Sequence, residues 1–240
     1  MSGIWGLIQA RMGSTRLPGK VLLDLAGKPL IWHVTERLRR VPGLDGIVVA
    51  STADPQNDAL AEFAAREGLS IHRHPQEDDI AGRLAGTVRE LGATAILKIN
   101  GDCPLVDPRV LTRLLDRYLG QAGLDYVSNK SIKTYPLGLS AEVIAARPLL
   151  WCDGNLRSAV DREYVADWIR NHTDRFAVAS IEHERDLSQH GWMVDTPEDL
   201  AFVQDIFARL YRNGEVFGME QVLAILGDVT EVAKAARTGL

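Results

Sequence analysis

The stretch LIQARMGSTRLPGKVL, residues 7–22, joins an apolar run to a loop that holds two glycines and three cations. The apolar residues predict a first β-strand over 4–8, and the glycines let backbone amides approach a ligand closely. Arg11, Arg16 and Lys20 add the full positive charges that bind a polyphosphate. The stretch therefore predicts an α/β fold that begins with a strand and an anion-binding loop. On charge pattern alone, the alternative is that these cations only face solvent.

Apolar segments alternate with amphipathic segments along most of the chain. Strands are predicted at 46–51 (GIVVAS) and 94–99 (TAILKI), and an amphipathic helix is predicted to begin near Leu30. The alternation favours an α/β, three-layer, Rossmann-like fold, with a mixed, mostly parallel sheet and helices on both faces. We expect a single domain over residues 1–240. The periodicity weakens at 129–157, which we interpret as an excursion from the core sheet that carries substrate contacts.

The overall composition limits the possible partners. The 240 residues are 46% hydrophobic, which suffices for a sizeable core, and the net charge is −5. An acidic balance disfavours nucleic acid or an anionic membrane as a partner. Cys103 and Cys152 are far apart, no secretory leader is recognisable, and no apolar run approaches ~18 residues. We therefore expect a cytoplasmic protein without a transmembrane helix.

A Walker A phosphate loop is the first candidate for GSTRLPGK, residues 13–20. That motif places four residues between its first glycine and a Gly-Lys-Ser/Thr sequence. Here five residues separate Gly13 from Gly19, and Val21 stands where the magnesium-binding hydroxyl belongs. The spacing excludes a Walker A loop and leaves a different strand-to-helix loop around a polyphosphate.

A polyphosphate site that works at phosphorus needs a divalent cation, and the cation needs carboxylates. Asp102 follows the predicted strand AILKIN, and Asp195 follows the apolar run WMV, 93 positions later. In open α/β sheets, ligands bind beyond the carboxyl ends of the strands, so both acids are predicted to converge on the glycine loop and to hold Mg²⁺. Taken singly, Asp102 could be a turn residue and Asp195 a helix cap.

Other reactive residues have no partner at a useful spacing. Cys103 has no base nearby in sequence and is predicted to be a small buried residue. The pair His72 and His74 has no third ligand at metal-binding spacing and is predicted to lie at an exposed strand end. Glu77 and Asp78, with the neighbouring Asp79, are predicted to form a solvated face or to cap the next helix.

Five motifs resemble one enzyme family in order and spacing. They are IQARMGSTRLPGKVL (8–22), INGDCPLVDP (99–108), YPLGLSAEV (135–143), DREYV (161–165) and VDTPEDL (194–200). They resemble the SpsF-type cytidylyltransferases, relatives of the acylneuraminate and Kdo (3-deoxy-manno-octulosonate) cytidylyltransferases, over about residues 4–210. The resemblance implies a nucleotide-sugar transferase fold and transfer of a nucleoside monophosphate to a sugar, with release of pyrophosphate.

The resemblance also assigns roles to particular residues. Lys20, Arg16, Asp102 and Asp195 are the implied catalytic residues, and Asp102 and Asp195 are the implied metal ligands. The implied nucleotide-binding residues are Gln9, Ala10, Arg11, Gly13, Ser14, Arg16, Lys20 and Asn100. The implied acceptor-binding residues are Tyr135, Gly138 and Glu142. Two positions depart from the family pattern, because Ser140 replaces an acid and Tyr164 replaces a histidine, and both bear on the choice of acceptor.

These features together predict a Mg²⁺-dependent cytidylyltransferase that transfers CMP from CTP to a sugar, an acidic one, for polysaccharide or glycan biosynthesis. One alternative keeps the mechanism and uses GTP or UTP with a sugar phosphate. Another is a non-catalytic nucleotide-binding protein. The expected partners are CTP, or another NTP, and the sugar acceptor, with no nucleic acid and no membrane. We also expect a homodimer, formed through residues 129–157 and the helix that carries Tyr164.

Overall fold

The computed structural model describes residues 3–212 and 214–227 of the chain. The strands are β1 (Ile4–Gln9), β2 (Asp24–Leu25), β3 (Lys28–Pro29), β4 (Gly46–Thr52), β5 (Ser70–His74), β6 (Ala95–Asn100), β7 (Tyr126–Ser128), β8 (Glu142–Ala145) and β9 (Val178–Ser180). The α-helices are α1 (Leu30–Leu38), α2 (Asp58–Arg66), α3 (Ile80–Leu91), α4 (Pro108–Leu119), α5 (Ala146–Asn155), α6 (Ala159–Glu163), α7 (Val165–Asn171) and α8 (Pro197–Leu210). A further helical segment covers 219–227.

Seven of the strands form one sheet in the order β5-β4-β1-β6-β8-β7-β9. The pairs β4–β5, β1–β4, β1–β6 and β7–β9 are parallel, whereas β8 runs antiparallel to both of its neighbours. The predicted mixed, mostly parallel sheet is confirmed. Gln9 at the end of β1 pairs with Asn100 at the end of β6, so the loops that follow both strands leave the sheet side by side.

Apolar residues cover both faces of the sheet, as a three-layer fold requires. In β1, Ile8 packs in the cluster that contains residues of α1, α2, α4 and α8, and the preceding Leu7 packs in the cluster that contains residues of α3, α5 and α7. Both residues are fully buried.

Within the described ranges, no helix combines the length and the apolar character needed to cross a membrane.

The segment 129–157 differs from the predicted excursion. Residues 142–145 form β8, which lies inside the sheet between β6 and β7, and α5 follows it directly. β8 is buried throughout its four residues, so its sequence EVIA has no alternation of polar and apolar residues. A strand this short leaves too little pattern to be recognised. The part that lies outside the sheet is therefore 129–141.

Candidate active site

A cleft of about 490 Å³ opens where the sheet strands β1 and β6 end. Its lining includes Gln9, Ala10, Arg11, Ser14, Thr15, Arg16 and Lys20 from the end of β1 and the following loop. The opposite side is formed by Glu77, Asp78, Ile80 and Arg83, and the far end by Lys98, Lys130, Glu142, Glu163, Tyr164 and Asp167. Asn100, Asp102 and Asp195 lie between them. The cleft is therefore lined mainly by charged side chains of both signs.

The two acids predicted to converge do meet in the cleft, and they meet on Lys20. The Lys20 ammonium Nζ lies 2.6 Å from Asp102 Oδ2 and 2.6 Å from Asp195 Oδ1. These two carboxylate oxygens are therefore no farther apart than the sum of the two distances. Arg16 donates to the second oxygen of Asp195 at 2.7 Å. We call Lys20, Asp102 and Asp195 the Lys20 cluster.

Backbone contacts fix the parts of the chain that carry the Lys20 cluster. The Val194 amide donates to the Asp102 carbonyl at 2.9 Å, which joins the two acid-bearing segments. Gly19 has φ +69°, a left-handed conformation that favours glycine, and its amide donates to the Met12 carbonyl at 3.0 Å. This turn directs the next residue, Lys20, toward the acids. The glycine at 19 is thus needed for the shape of the loop.

The two acids keep Lys20 charged. Burial lowers the pKa of Lys20, but the attraction and hydrogen bonds of Asp102 and Asp195 outweigh burial, and the pKa is raised above its ordinary value. The cluster contains two carboxylates and one ammonium, so it has a net negative charge. Such a donor pair suits a hard divalent cation, with phosphate oxygens or water completing the coordination.

A second ionic cluster, the Glu142 cluster, lies at the far end of the cleft. The Glu142 carboxylate accepts hydrogen bonds from Lys130 at 2.7 Å, Lys98 at 3.1 Å and the Tyr126 hydroxyl at 3.2 Å. Burial raises the pKa of Glu142, but the two lysines outweigh burial and bring the pKa to about 2. Glu142 is therefore ionised and held in place by β6 and the segment that follows β7.

The wall that precedes α3 corrects one sequence prediction. Glu77 and Asp78 line the cleft, and Glu77 forms an ion pair with Arg11 of the glycine loop. Asp79 caps α3 as predicted, since its Oδ1 accepts from the Gly82 amide at 2.9 Å. Acids just before a helix look alike in sequence whether they cap it or line a site, and only the position of the preceding loop distinguishes them.

Two residues that line the cleft, Arg83 and Gln9, each have a buried polar atom without a hydrogen-bond partner among the described residues: Arg83 Nε and Gln9 Oε1. The Arg83 side chain is 1% exposed, and its terminal nitrogen donates to the Glu77 carbonyl. Burial and the nearby Arg11 lower the pKa of Arg83, although a guanidinium remains charged. A buried donor and a buried acceptor left open in a cleft are suited to a polar ligand.

The sequence-derived site residues divide into two groups. Gln9, Ala10, Arg11, Ser14, Arg16, Lys20, Asn100, Asp102, Glu142 and Asp195 all line the cleft. Gly13 does not, and it lies against the Gln56 side chain. Tyr135 and Gly138 are also outside the lining: Tyr135 is buried and bonded to Arg113 at 2.9 Å, and a Cβ on Gly138 would meet the Trp192 backbone. The structure therefore brings only Glu142 of the three predicted acceptor residues to the cleft.

Several lining residues had no assigned role in the sequence, among them Lys98, Lys130, Arg83, Glu163 and Asp167. Lys98 had a signal, because it is a charged residue inside an otherwise apolar strand, AILKI. A charge at such a position needs a buried partner. The other four residues lie in helices or loops where charge is common, so their sequence context gives no signal.

Cys103, His72 and His74 lie outside the cleft lining. Cys103 is buried, and burial together with Asp102 raises its pKa well above the ordinary value, which makes it a poor nucleophile. His72 contacts Glu90 at 2.7 Å, and His74 contacts Asp79 at 3.2 Å. In the described part of the chain, no group of three or more His, Cys, Asp or Glu side chains is arranged to hold a metal ion.

Comparison with known proteins gives consistent matches. A family model described as cytidylyltransferase matches residues 5–215. The spore coat polysaccharide biosynthesis protein SpsF of Bacillus subtilis is 29% identical over 230 residues, which are 92% of this chain and 93% of that protein. The 3-deoxy-manno-octulosonate cytidylyltransferase of Trichlorobacter lovleyi is 37% identical over 53% of this chain and 50% of its own. A solved cytidylyltransferase structure from Leptospira borgpetersenii has a TM-score of 0.89 and 26% identity, covering 97% of each chain.

Proposed function

The chain belongs to the cytidylyltransferase family and is a nucleotidyltransferase, and we propose that it transfers CMP from CTP to an acidic sugar in the presence of Mg²⁺. The observation that carries the proposal is the convergence of Asp102 and Asp195 on Lys20, beside Arg16 of the glycine loop. This arrangement brings two cations that can bind phosphate and two carboxylates that can bind a metal ion to one point of the cleft. The similarity to SpsF supports a place in polysaccharide biosynthesis.

The reaction is an in-line displacement at the α-phosphorus of CTP. An acceptor hydroxyl oxygen forms the new bond to phosphorus and releases its proton to solvent, the bond to the bridging oxygen of the β-phosphate breaks, and pyrophosphate leaves with the electron pair. Negative charge grows on the leaving group, so cations fixed beside it stabilise the transition state. Lys20 and Arg16 would take this role, and backbone amides of the loop around Ser14 would position the phosphates.

Asp102 and Asp195 would hold the magnesium ion. The donor chemistry fits, because two carboxylates from different segments approach one cation. When bound, the ion supplies charge neutralisation at the phosphates and lowers the pKa of the acceptor hydroxyl. Lys20 then contributes its ammonium to the phosphates, and no side-chain nucleophile is required.

The open polar atoms Arg83 Nε and Gln9 Oε1 support CTP as the nucleotide. A cytosine edge offers a carbonyl acceptor to an arginine N–H and an amino donor to a glutamine oxygen. Uracil has a carbonyl in place of the amino group, so Gln9 would have to turn its amide group over to bind uracil. Asn100, at the end of β6, would hold the nucleoside.

An acidic sugar is proposed as acceptor because the Glu142 cluster has two lysines for one carboxylate. Lys98 and Lys130 place two ammonium groups around the Glu142 carboxylate, and Glu142 fixes their position; this positive charge is local to the cluster, because Glu163 and Asp167 line the same end of the cleft. Tyr135 and Gly138 contact no acceptor in this proposal, because neither lines the cleft.

We also propose that the protein is a homodimer. The exposed side chains of Val160 and Tyr164 offer apolar surface for the contact between the two copies.

Pyrophosphate release tests the proposal directly. The protein is incubated with Mg²⁺, each of the four NTPs in turn, and a panel of acidic sugars, neutral sugars and sugar phosphates. Pyrophosphatase then converts the released pyrophosphate to orthophosphate, which is measured. We expect turnover with CTP and an acidic sugar. Turnover with GTP or UTP and a sugar phosphate, and none with CTP, would support the alternative nucleotidyltransferase. Magnesium-dependent CTP binding without turnover would support a non-catalytic protein, and light scattering at a monomer mass would contradict the dimer.

A further inference from the structure

Arg162 connects the two sides of the cleft. It lies on the short helix α6, and every one of its guanidinium N–H groups has an acceptor. Nε and one terminal nitrogen bind the two oxygens of Asp79 at 2.9 and 2.8 Å. The remaining donors bind the Asp153 carbonyl, the Asp153 carboxylate and the Leu156 carbonyl at 2.8 to 3.2 Å. The network therefore joins α6, the end of α5 and the N-terminus of α3.

At one end, this network holds Asp79 in the wall that precedes α3, residues 77–80. Asp79 is the N-cap of α3, and its neighbours Glu77, Asp78 and Ile80 line the cleft. Burial raises the pKa of Asp79, but hydrogen bonds from Arg162 and Gly82 outweigh burial and hold the pKa below its ordinary value. The carboxylate is thus available to both partners at once. A shift of Asp79 would move the lining residues on either side of it.

At the other end, the network holds α6, which leads directly into the wall formed by residues 163–167. Glu163, Tyr164 and Asp167 line the cleft and follow Arg162 directly in the chain. α6 contains no buried residue, and Val160 is 64% exposed. The flanking residues Leu156 and Val165 are buried in the apolar core, whereas α6 itself is held against Asp79 and Asp153 by the hydrogen bonds of Arg162. A bidentate arginine–carboxylate pair fixes both distance and orientation.

We propose that Arg162 is a positioning residue that couples the nucleotide wall, residues 77–80, to the neighbouring wall, residues 163–167. A nucleotide seated against the first wall then also orders the second wall, which bounds the acceptor end of the cleft. Arg162 touches no substrate and acts through Asp79. The inference rests on the proposed function for the identity of the nucleotide, whereas the coupling between the walls is a property of the chain itself.

Hydrogen–deuterium exchange of the full chain tests the coupling without and with CTP and Mg²⁺. The variants are Arg162→Met and, as matched control, Arg89→Met, which removes a 2.8 Å ion pair to the same Asp153 but leaves Asp79 untouched. Without ligand, we expect Arg162→Met to speed exchange about tenfold in both 76–80 and 159–167, and Arg89→Met to change neither. With CTP, the wild type should gain protection in both segments, whereas Arg162→Met should gain it only around 7–22.

Asp79→Asn provides a second variant in case Arg162→Met does not fold. It should speed exchange in 159–167, although that segment is distant in sequence, and adding Arg162→Met should increase the exchange no further. Arg162→Lys, which keeps the charge, should restore part of the CTP-induced protection of 159–167. Equal protection of 159–167 in the wild type and Arg162→Met, or an equal effect of Arg89→Met, would overturn the coupling. Absence of any CTP protection around 7–22 in the wild type would contradict the proposed function instead, and the ligand-free comparison would still decide the coupling.

Discussion

The Lys20 cluster and the Glu142 cluster use the same groups in opposite proportions. In the first, one ammonium lies between two carboxylates, whose side chains are 18% and 19% exposed. In the second, one carboxylate that is 2% exposed lies between two ammonium groups. Asp102 and Asp195 are held on segments that follow strands or apolar runs, whereas Glu142 and Lys98 face each other in register on β8 and β6.

The difference in burial indicates that the Lys20 cluster can exchange its cation, whereas the Glu142 cluster keeps its own. A partly exposed pair of carboxylates can exchange an ammonium for a divalent cation at modest desolvation cost. A buried carboxylate with two cations cannot lose a partner without leaving uncompensated charge in the interior. Substitutions in the Lys20 cluster should therefore affect catalysis most, and substitutions in the Glu142 cluster should affect stability as well as binding of the acceptor.

The largest effect is expected for Asp102→Asn or Asp195→Asn. Loss of a carboxylate removes one of the two proposed metal ligands, and kcat should fall about 1000-fold, or about 4 kcal/mol in activation free energy. Pyrophosphate release with CTP, Mg²⁺ and the acceptor measures it. Asp205→Asn is the matched control, because Asp205 is an exposed acid of α8 that pairs with Arg209 and does not line the cleft. Unchanged kcat in either variant would contradict the assigned metal site.

Glu142→Gln should mainly lower stability. The amide leaves Lys98 without its counter-charge and Lys130 with only Asp167 at 3.7 Å, and the free energy of unfolding should fall by about 3 kcal/mol. Urea denaturation followed by circular dichroism measures the change. Glu163→Gln, an exposed acid in the same cleft, should leave the midpoint nearly unchanged. A Glu142→Gln protein as stable as the wild type would show that the cluster is not a fixed structural unit.

The stability contributed by Glu142 should depend on pH. Its pKa is about 2 in the folded protein, below the ordinary value of 4.5, so the folded state favours the ionised form. The contribution, about 3 kcal/mol, is complete above pH 4.5 and is lost as the pH falls toward 2. Unfolding free energies measured between pH 6 and 2.5 should therefore decline less steeply in Glu142→Gln than in the wild type. Identical slopes would contradict the depressed pKa.

Lys20→Met should separate metal binding from catalysis. Removal of the ammonium should lower kcat about 100-fold, because the pyrophosphate leaving group loses a fixed cation. Mn²⁺ alone, titrated by electron paramagnetic resonance, should bind several-fold more tightly, since the ammonium no longer competes for the acids. Lys98→Met should leave Mn²⁺ binding unchanged. Weaker Mn²⁺ binding in Lys20→Met would contradict the exchangeable character of the cluster.

The smallest effect is expected outside both clusters. Tyr135→Phe removes the hydrogen bond between the Tyr135 hydroxyl and Arg113, so stability should fall by about 1 kcal/mol. KM for the acceptor should stay the same, because Tyr135 does not line the cleft. Thermal unfolding and steady-state kinetics measure the two quantities. A clear rise in KM would restore the sequence-derived acceptor role of Tyr135.

The sequence predicted the main parts of the fold and site because their signals are local. Strong apolar runs gave β1, β4 and β6, and the resemblance to SpsF-type cytidylyltransferases is confirmed by the family match over 5–215. β8 was missed because four buried residues have no periodicity. Gly13, Tyr135 and Gly138 belong to recognisable motifs, but a motif includes residues that shape the backbone as well as residues that contact a ligand.

The sequence by itself determined which residues come after the apolar runs, and therefore that Lys20, Asp102 and Asp195 would approach one another at a sheet edge. Parallel strands account for Lys20 and Asp102, which follow β1 and β6. Asp195 follows no strand of the sheet, and the hydrogen bond from the Val194 amide to the Asp102 carbonyl holds it there. Only the tertiary structure decided that the two acids bind one ammonium, that Glu142 lies between two lysines, and that Arg162 joins two walls of the cleft. These contacts depend on distances of a few ångströms between segments far apart in the chain, and no local pattern encodes such distances.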